Sequence, residues 1–195
     1  MAAAAPISFA PSETWDGNDG LWSTFAVRIG TPPQAFRVLV STASEQMWVP
    51  HPDGCTKRDR SDCPSLRGVG SFQGLQSRGF TSNVSSTWQY TGLFYLTVED
   101  QLGYEGAGSY GYDTIALQEY DPVSLNHSLF AAIATKSYFL GIFGIWPKRT
   151  NVSDSEQPSS YMMKLHDQGL IPSLSWGYTA GAPYRTCYCI LVSVG

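Results

Sequence analysis

The sequence predicts a mainly β fold with one or two short helices, and three observations carry that prediction. Apolar and polar residues alternate over short runs, most clearly Trp22–Ile29 and Ala35–Val40, which is the period of a half-buried strand. Glycine (19), proline (12) and aromatic residues (13%) are plentiful while only 14% of residues are charged, a mix that suits short strands joined by turns. One segment alone, Pro158–Gly169, carries apolar residues at convincing helical spacing.

In chain order, residues 1–16 are expected to form an extended arm. "WSTFAVRI" (22–29) alternates as a strand. "GTPP" (30–33) is a turn, because proline presets φ and glycine bends freely. "AFRVLV" (35–40) alternates again and returns as the second arm of a hairpin. "MWVP" (47–50) starts a further short strand, and the polar, glycine-rich residues 51–79 read as loop. From Trp88 a second β region runs through "WQYTGLFYLTVED" and "GYEGAGSYGYDTIALQ", with Gly103–Gly111 expected as a mobile turn between its strands. "SLFAAIATKS" (128–137) and "FLGIFGIW" (139–146) supply two more strands. In the helix, Tyr161, Met162 and Leu165 share a face and Gly169 suits the C-terminal cap. Its methionine pair reads as core packing, with no cofactor implied.

A chain of 195 residues is long enough for one domain with a real core. Its net charge of −4 and pI near 5.2 argue against nucleic acid, which needs a basic stripe. No segment reaches the roughly 18 apolar residues of a membrane span, and "MAAAAPISFAPSE" lacks the basic start and apolar run of a signal peptide. Three sequons, at Asn83, Asn126 and Asn151, nevertheless lean toward the secretory route and the cell exterior or surface. Cys55 and Cys63 flank the polar stretch "CTKRDRSDC", a plausible small disulfide ring that would stabilise by roughly 2–3 kcal/mol; two free thiols in a reducing compartment are the alternative. Cys187 and Cys189 are too close to pair well with each other and lack further metal ligands, so no metal is expected.

The ordered set of short motifs resembles one family. "FAVRIGTPPQAFRVLVSTASEQMWVP" is similar to the first lobe of pepsin-like aspartic proteases, in which a strand, a Gly-Thr-Pro-Pro-Gln turn and a second strand lead into Asp-Thr-Gly-Ser and then Trp-Val-Pro. Further matches follow in order: the Cys55–Cys63 loop, "NVSSTWQ" (83–89) before the flap, "GYDTIAL" (111–117) after it, "FLGIFGIWP" (139–147) as the brace of the catalytic loop, and "LHDQGLI" (165–171). The resemblance covers about residues 20–186, and "WDGNDGLWSTF" gives it the look of a fungal branch. It implies a double-psi β-barrel type lobe over residues 17–186, preceded by the arm and followed by a divergent tail, 187–195, that reads as a truncated or mis-spliced product.

Where the family keeps its catalytic motif, this chain has Ser41-Thr42-Ala43-Ser44. The pepsin mechanism needs two carboxylates sharing a proton and gripping a water. A hydroxyl holds water but trades no proton in the acid range, and a lost general base alone costs about 10²–10⁴-fold. No second Asp-Thr-Gly-like motif occurs, so even a homodimer would contain no dyad. The expected function is therefore a catalytically inactive homologue, secreted or on the cell surface, that binds an extended peptide or protein. The alternative is an aspartic-type endopeptidase, or part of one, hydrolysing peptide bonds at acid pH. Trp48, with Tyr104 or Tyr110 as the flap tyrosine, would line the cleft. A lone lobe is also expected to self-associate through the face a second lobe would cover. A serine nucleophile at Ser41 is disfavoured, since no elbow surrounds it and His51, His127 and His166 are scattered; "GYEGAGSYG" lacks the lysine and following helix of a phosphate loop.

Overall fold

Strand pairing follows the alternation closely. The computed structural model describes residues 5–96, 103–117, 123–152, 157–179 and 190–192. Its strands are β1 (Ser8–Phe9), β2 (Trp15–Asp16), β3 (Trp22–Ser23), β4 (Phe25–Ile29), β5 (Gln34–Ser41) and β6 (Met47–Pro50). A four-residue helix α1 (Cys63–Leu66) precedes β7 (Ser71–Phe72), β8 (Leu75–Gln76), β9 (Gln89–Tyr95), β10 (Ala107–Leu117), β11 (Val123–Ile133) and β12 (Gly141–Gly144). Helix α2 (Tyr161–Asp167), β13 (Gly177–Thr179) and β14 (Ile190–Val192) complete the order.

The main sheet runs β11-β6-β12-β5-β4-β10-β9, and an additional β10–β11 pairing closes six of those strands into a barrel with β9 outside it. Two of its pairings are parallel, β12 on β5 and β11 on β6. The lobe is mainly β with two short helices, as the sequence predicts. Inward-facing alternation fills the barrel: Val27, Ile29, Val38, Ile115, Ile133 and Ile145 are fully buried, and Leu165 of α2 joins them. Ser160 caps α2 by accepting the Met163 N–H, and Gly169 stands just beyond it at φ +66°, a conformation glycine takes without strain.

Four local expectations are corrected. Trp22–Ile29 is not one strand: Thr24 is buried and donates to Asp16 Oδ2 (2.7 Å), so the chain breaks there and β3 pairs with β2 while β4 pairs with β5. The Gly103–Gly111 stretch is a turn only at its start, because β10 begins at Ala107. A Cβ on Gly108 would lie 2.8 Å from that of Ala131, and one on Gly111 2.4 Å from the Trp88 ring, so these glycines serve close strand packing. Residues 51–79 hold α1 and the β7–β8 hairpin rather than loop alone. The strand foreseen at 128–137 runs instead from Val123 to Ile133. The arm is extended but docked: Phe9 enters the core, and Arg37 grips Asp16 through Nε and Nη2 at 2.8 and 2.9 Å. Residues 190–192 pair with β1 and β13, whereas Cys187 and Cys189 lie outside the described residues.

Candidate functional site

Ser41-Thr42-Ala43-Ser44 stands where β5 leaves the sheet. β12 lies parallel to it in the register Gly144 to Ser41, and three backbone hydrogen bonds finish the junction. The Ile145 N–H donates to the Ser41 carbonyl (2.9 Å), the Gly144 N–H to the Gln46 carbonyl (2.8 Å) and the Trp146 N–H to the Ser44 carbonyl (3.1 Å). Gly144 has no alternative here, since a Cβ would sit 2.4 Å from the Ser44 oxygen and 2.5 Å from that of Gln46. Ser44 is buried and its hydroxyl accepts the Gln46 N–H (3.0 Å). The turn is thus held by backbone and by Ser44.

Ser41 is half-buried, while Thr42 and Ala43 are exposed. The Ser41 hydroxyl accepts a long hydrogen bond from the Ala43 N–H (3.3 Å) and meets no carboxylate among the described residues. Nothing at this position trades protons in the acid range. Among the described residues no group of three or more His, Cys, Asp or Glu side chains is placed to hold a metal ion.

Beside the turn lies a cavity of about 670 Å³ lined by Leu39 and Val40 of β5, by Thr42 of the turn itself, by Trp22, and by Tyr138 and Phe139 of the segment between β11 and β12. Its volume falls within the range of small-ligand sites, and its lining mixes apolar rings with a few polar groups. The three aromatic candidates take different places. Tyr104 is exposed and borders this cavity, its ring edge-on to Tyr138 at 5.4 Å. Tyr110 is buried and donates its hydroxyl to Gln46 Oε1 at 2.6 Å; burial raises its phenol above the ordinary range. Trp48 is fully buried, donates its indole N–H to the same Gln46 oxygen (2.9 Å) and stands edge-on to Tyr138 at 4.9 Å. Gln46 therefore ties the turn, the barrel strand β10 and the buried Trp48 of β6 together. No local pattern signals this link, because only the fold brings Tyr110 to a position 64 residues away.

Cys55 and Cys63 are bonded, with Cα atoms 6.0 Å apart, which decides between the ring and the free thiols. Asn83, Asn126 and Asn151 are all exposed. A buried cation, Arg67, follows α1 and escaped the sequence reading altogether.

Residues 24–179 match the eukaryotic aspartyl protease family. The chain belongs to that family. A curated relative, mucorpepsin of Rhizomucor miehei, is 31% identical over 163 residues, which is 75% of this chain and 33% of mucorpepsin. The chain thus spans about a third of the length of that relative. The match covers the hairpin of β4 and β5, the Ser41 turn, its β12 brace and α2.

Proposed function

We propose that this chain is a non-catalytic member of the aspartyl protease family that binds an extended peptide in the cleft beside Ser41, as a secreted or surface glycoprotein. One observation carries the reading: the turn that ends β5 has full backbone bracing while the side chain of Ser41 is a hydroxyl with no carboxylate in reach among the described residues. A site kept in shape without its proton-trading group supports recognition over cleavage. The exposed sequon asparagines and the Cys55–Cys63 bond support the secretory assignment. Peptide recognition suits the cleft, since its aromatic and apolar walls take side chains.

The second reading, an acid endopeptidase acting through residues of a longer chain, draws support from the family match and from the third of mucorpepsin that this chain spans. Casein digestion by the purified protein at about pH 3–5, where such dyads share a proton, separates the two. No cleavage is expected, while a statine-containing peptide binds measurably by calorimetry. Cleavage blocked by that same peptide would establish the endopeptidase instead.

A further inference from the structure

We propose that Arg67 is a positioning residue that sets the cleft wall and couples it to the Cys55–Cys63 loop. Arg67 is fully buried and forms no ion pair among the described residues, the Asp59 carboxylate acting on it only from a distance. Enclosed charges are normally paired, because desolvation without a counter-ion is costly. Here four N–H groups are spent on backbone carbonyls. Nε donates to Phe139 O (2.8 Å), Nη1 to Gly54 O (2.9 Å), and Nη2 to Thr135 O (2.8 Å) and Tyr138 O (3.1 Å).

The distribution of those acceptors assigns the role. Three belong to residues 135–139, the segment that carries Tyr138 and Phe139 into the 670 Å³ cavity and sets Tyr138 against Trp48 and Tyr104. The fourth, Gly54 O, adjoins one half-cystine, and α1, which Arg67 directly follows, begins at the other. The planar, rigid fork of a guanidinium fixes several carbonyls at once; a lysine ammonium, a point charge on a flexible stem, does not reproduce that set. Space is shaped to the group as well, since a Cβ on Gly54 would come within 2.1 Å of Nη1. A second tie runs in parallel: Lys136 pairs with Asp59 of the disulfide loop at 2.5 Å. That hydrogen bond, with others from Thr56, holds the Asp59 carboxyl well below the usual range. An apolar side chain would fill the volume at Arg67 but would leave three wall carbonyls without donors.

Hydrogen exchange read peptide by peptide on the whole protein tests this without reference to a ligand. In Arg67→Met, exchange over residues 134–141 should rise about tenfold or more while β4 and β5 change by less than about twofold, the pattern of a local opening. Arg67→Lys should fall between. Dithiothreitol supplies two electrons and two protons, converting the disulfide to two thiols as the reagent closes to its own cyclic disulfide. That treatment should raise the same peptides in the wild type and add little in Arg67→Met. Should Arg67→Met fail to fold, Gly54→Ala disturbs the same contact from the other side and must give the same selective pattern. An even rise across the chain, or none at 134–141, overturns the proposal. The corollary for affinity rests on the peptide-binding reading: the dissociation constant for a statine-containing peptide should rise about tenfold in Arg67→Met, a change of about 1.4 kcal/mol. A wild type that ignores that probe sinks the binding reading alone, because exchange still decides the role of Arg67.

Discussion

The turn at Ser41–Ser44 and the cluster around Asp113 are both polar junctions at the edge of the barrel, and they are held by opposite means. At the turn, backbone does the holding: three N–H groups of residues 144–146 donate to carbonyls of residues 41–46. Around Asp113, side chains do it. The carboxylate, on a residue 1% exposed, accepts from Ser85 Oγ (2.7 Å), Thr87 Oγ1 (2.5 Å) and the Thr114 N–H (2.7 Å). Ser85 Oγ in turn accepts the Thr31 N–H (3.0 Å), so the cluster joins the turn after β4 to β10. The comparison teaches where an acid is dispensable. A junction built on backbone keeps its shape whichever side chain residue 41 carries, whereas a junction built on one carboxylate does not.

The largest expected effect breaks the cluster. Asp113→Ala strands two hydroxyls and an amide that now serve a charged acceptor, and hydrogen bonds to charged groups are worth about 1.5–3 kcal/mol each. A loss of about 3–5 kcal/mol by urea denaturation is expected. A loss below about 1 kcal/mol would show that the hydroxyls find other partners and would erase the contrast between the two junctions. Next comes an attack on the turn through its backbone. Gly144→Ala drives a Cβ into the Ser44 and Gln46 carbonyl oxygens, which as main-chain atoms have little room to yield. Overpacking of this kind costs about 1–3 kcal/mol, and the upper half of that range is expected. A neutral result in the same denaturation series would mean that the brace is loose.

The two junctions also differ in how far the sequence revealed them. "GTPPQ", "NVSST" and "GYDT" are separate motifs in the chain, and the fold joins them at Asp113 through Thr31, Ser85 and Thr87. Each motif was legible because turns and short hydroxyl runs have local chemistry; their meeting was not, because pairing across such separations belongs to the tertiary fold. The barrel strands were legible for the same local reason, since alternation of period two records which face is buried. Glycines misled. Those at 108 and 111 looked like turn residues, yet what dictates them is the closeness of Ala131 and Trp88, which no local pattern encodes. Gln46 and Arg67 were missed because their partners, Tyr110 and the carbonyls of 135–139, lie far along the chain.

Tyr110→Phe probes a junction of mixed kind, in which side chains secure the turn from inside the barrel. It removes the donor to Gln46 Oε1 but leaves the Trp48 N–H in place, so that oxygen keeps one partner. A loss of about 1 kcal/mol is expected, the ordinary net value of one hydrogen bond. The pH arm follows from linkage. Burial raises the Tyr110 phenol above the value of about 10 that it has in the unfolded chain, so its contribution is complete below that pH and fades as pH rises beyond it. Tyr110→Phe should therefore soften the alkaline decline in melting temperature. Tyr161, raised likewise by burial, keeps part of that decline in both proteins.

The smallest effect sharpens the comparison most. Ser41→Asp introduces a carboxylate in a turn whose bracing does not depend on the side chain there. Ser41 is half-buried and its hydroxyl makes one 3.3 Å contact, so substitution should change stability by no more than about 0.5 kcal/mol, as is usual for side chains away from buried networks. Casein cleavage at acid pH should stay absent, because one carboxylate without a partner cannot share a proton across a bound water. Were Ser41→Asp to cost as much as Asp113→Ala, the turn would be reading its side chain after all. Were it to restore cleavage, a second acid would have to stand within reach of residue 41.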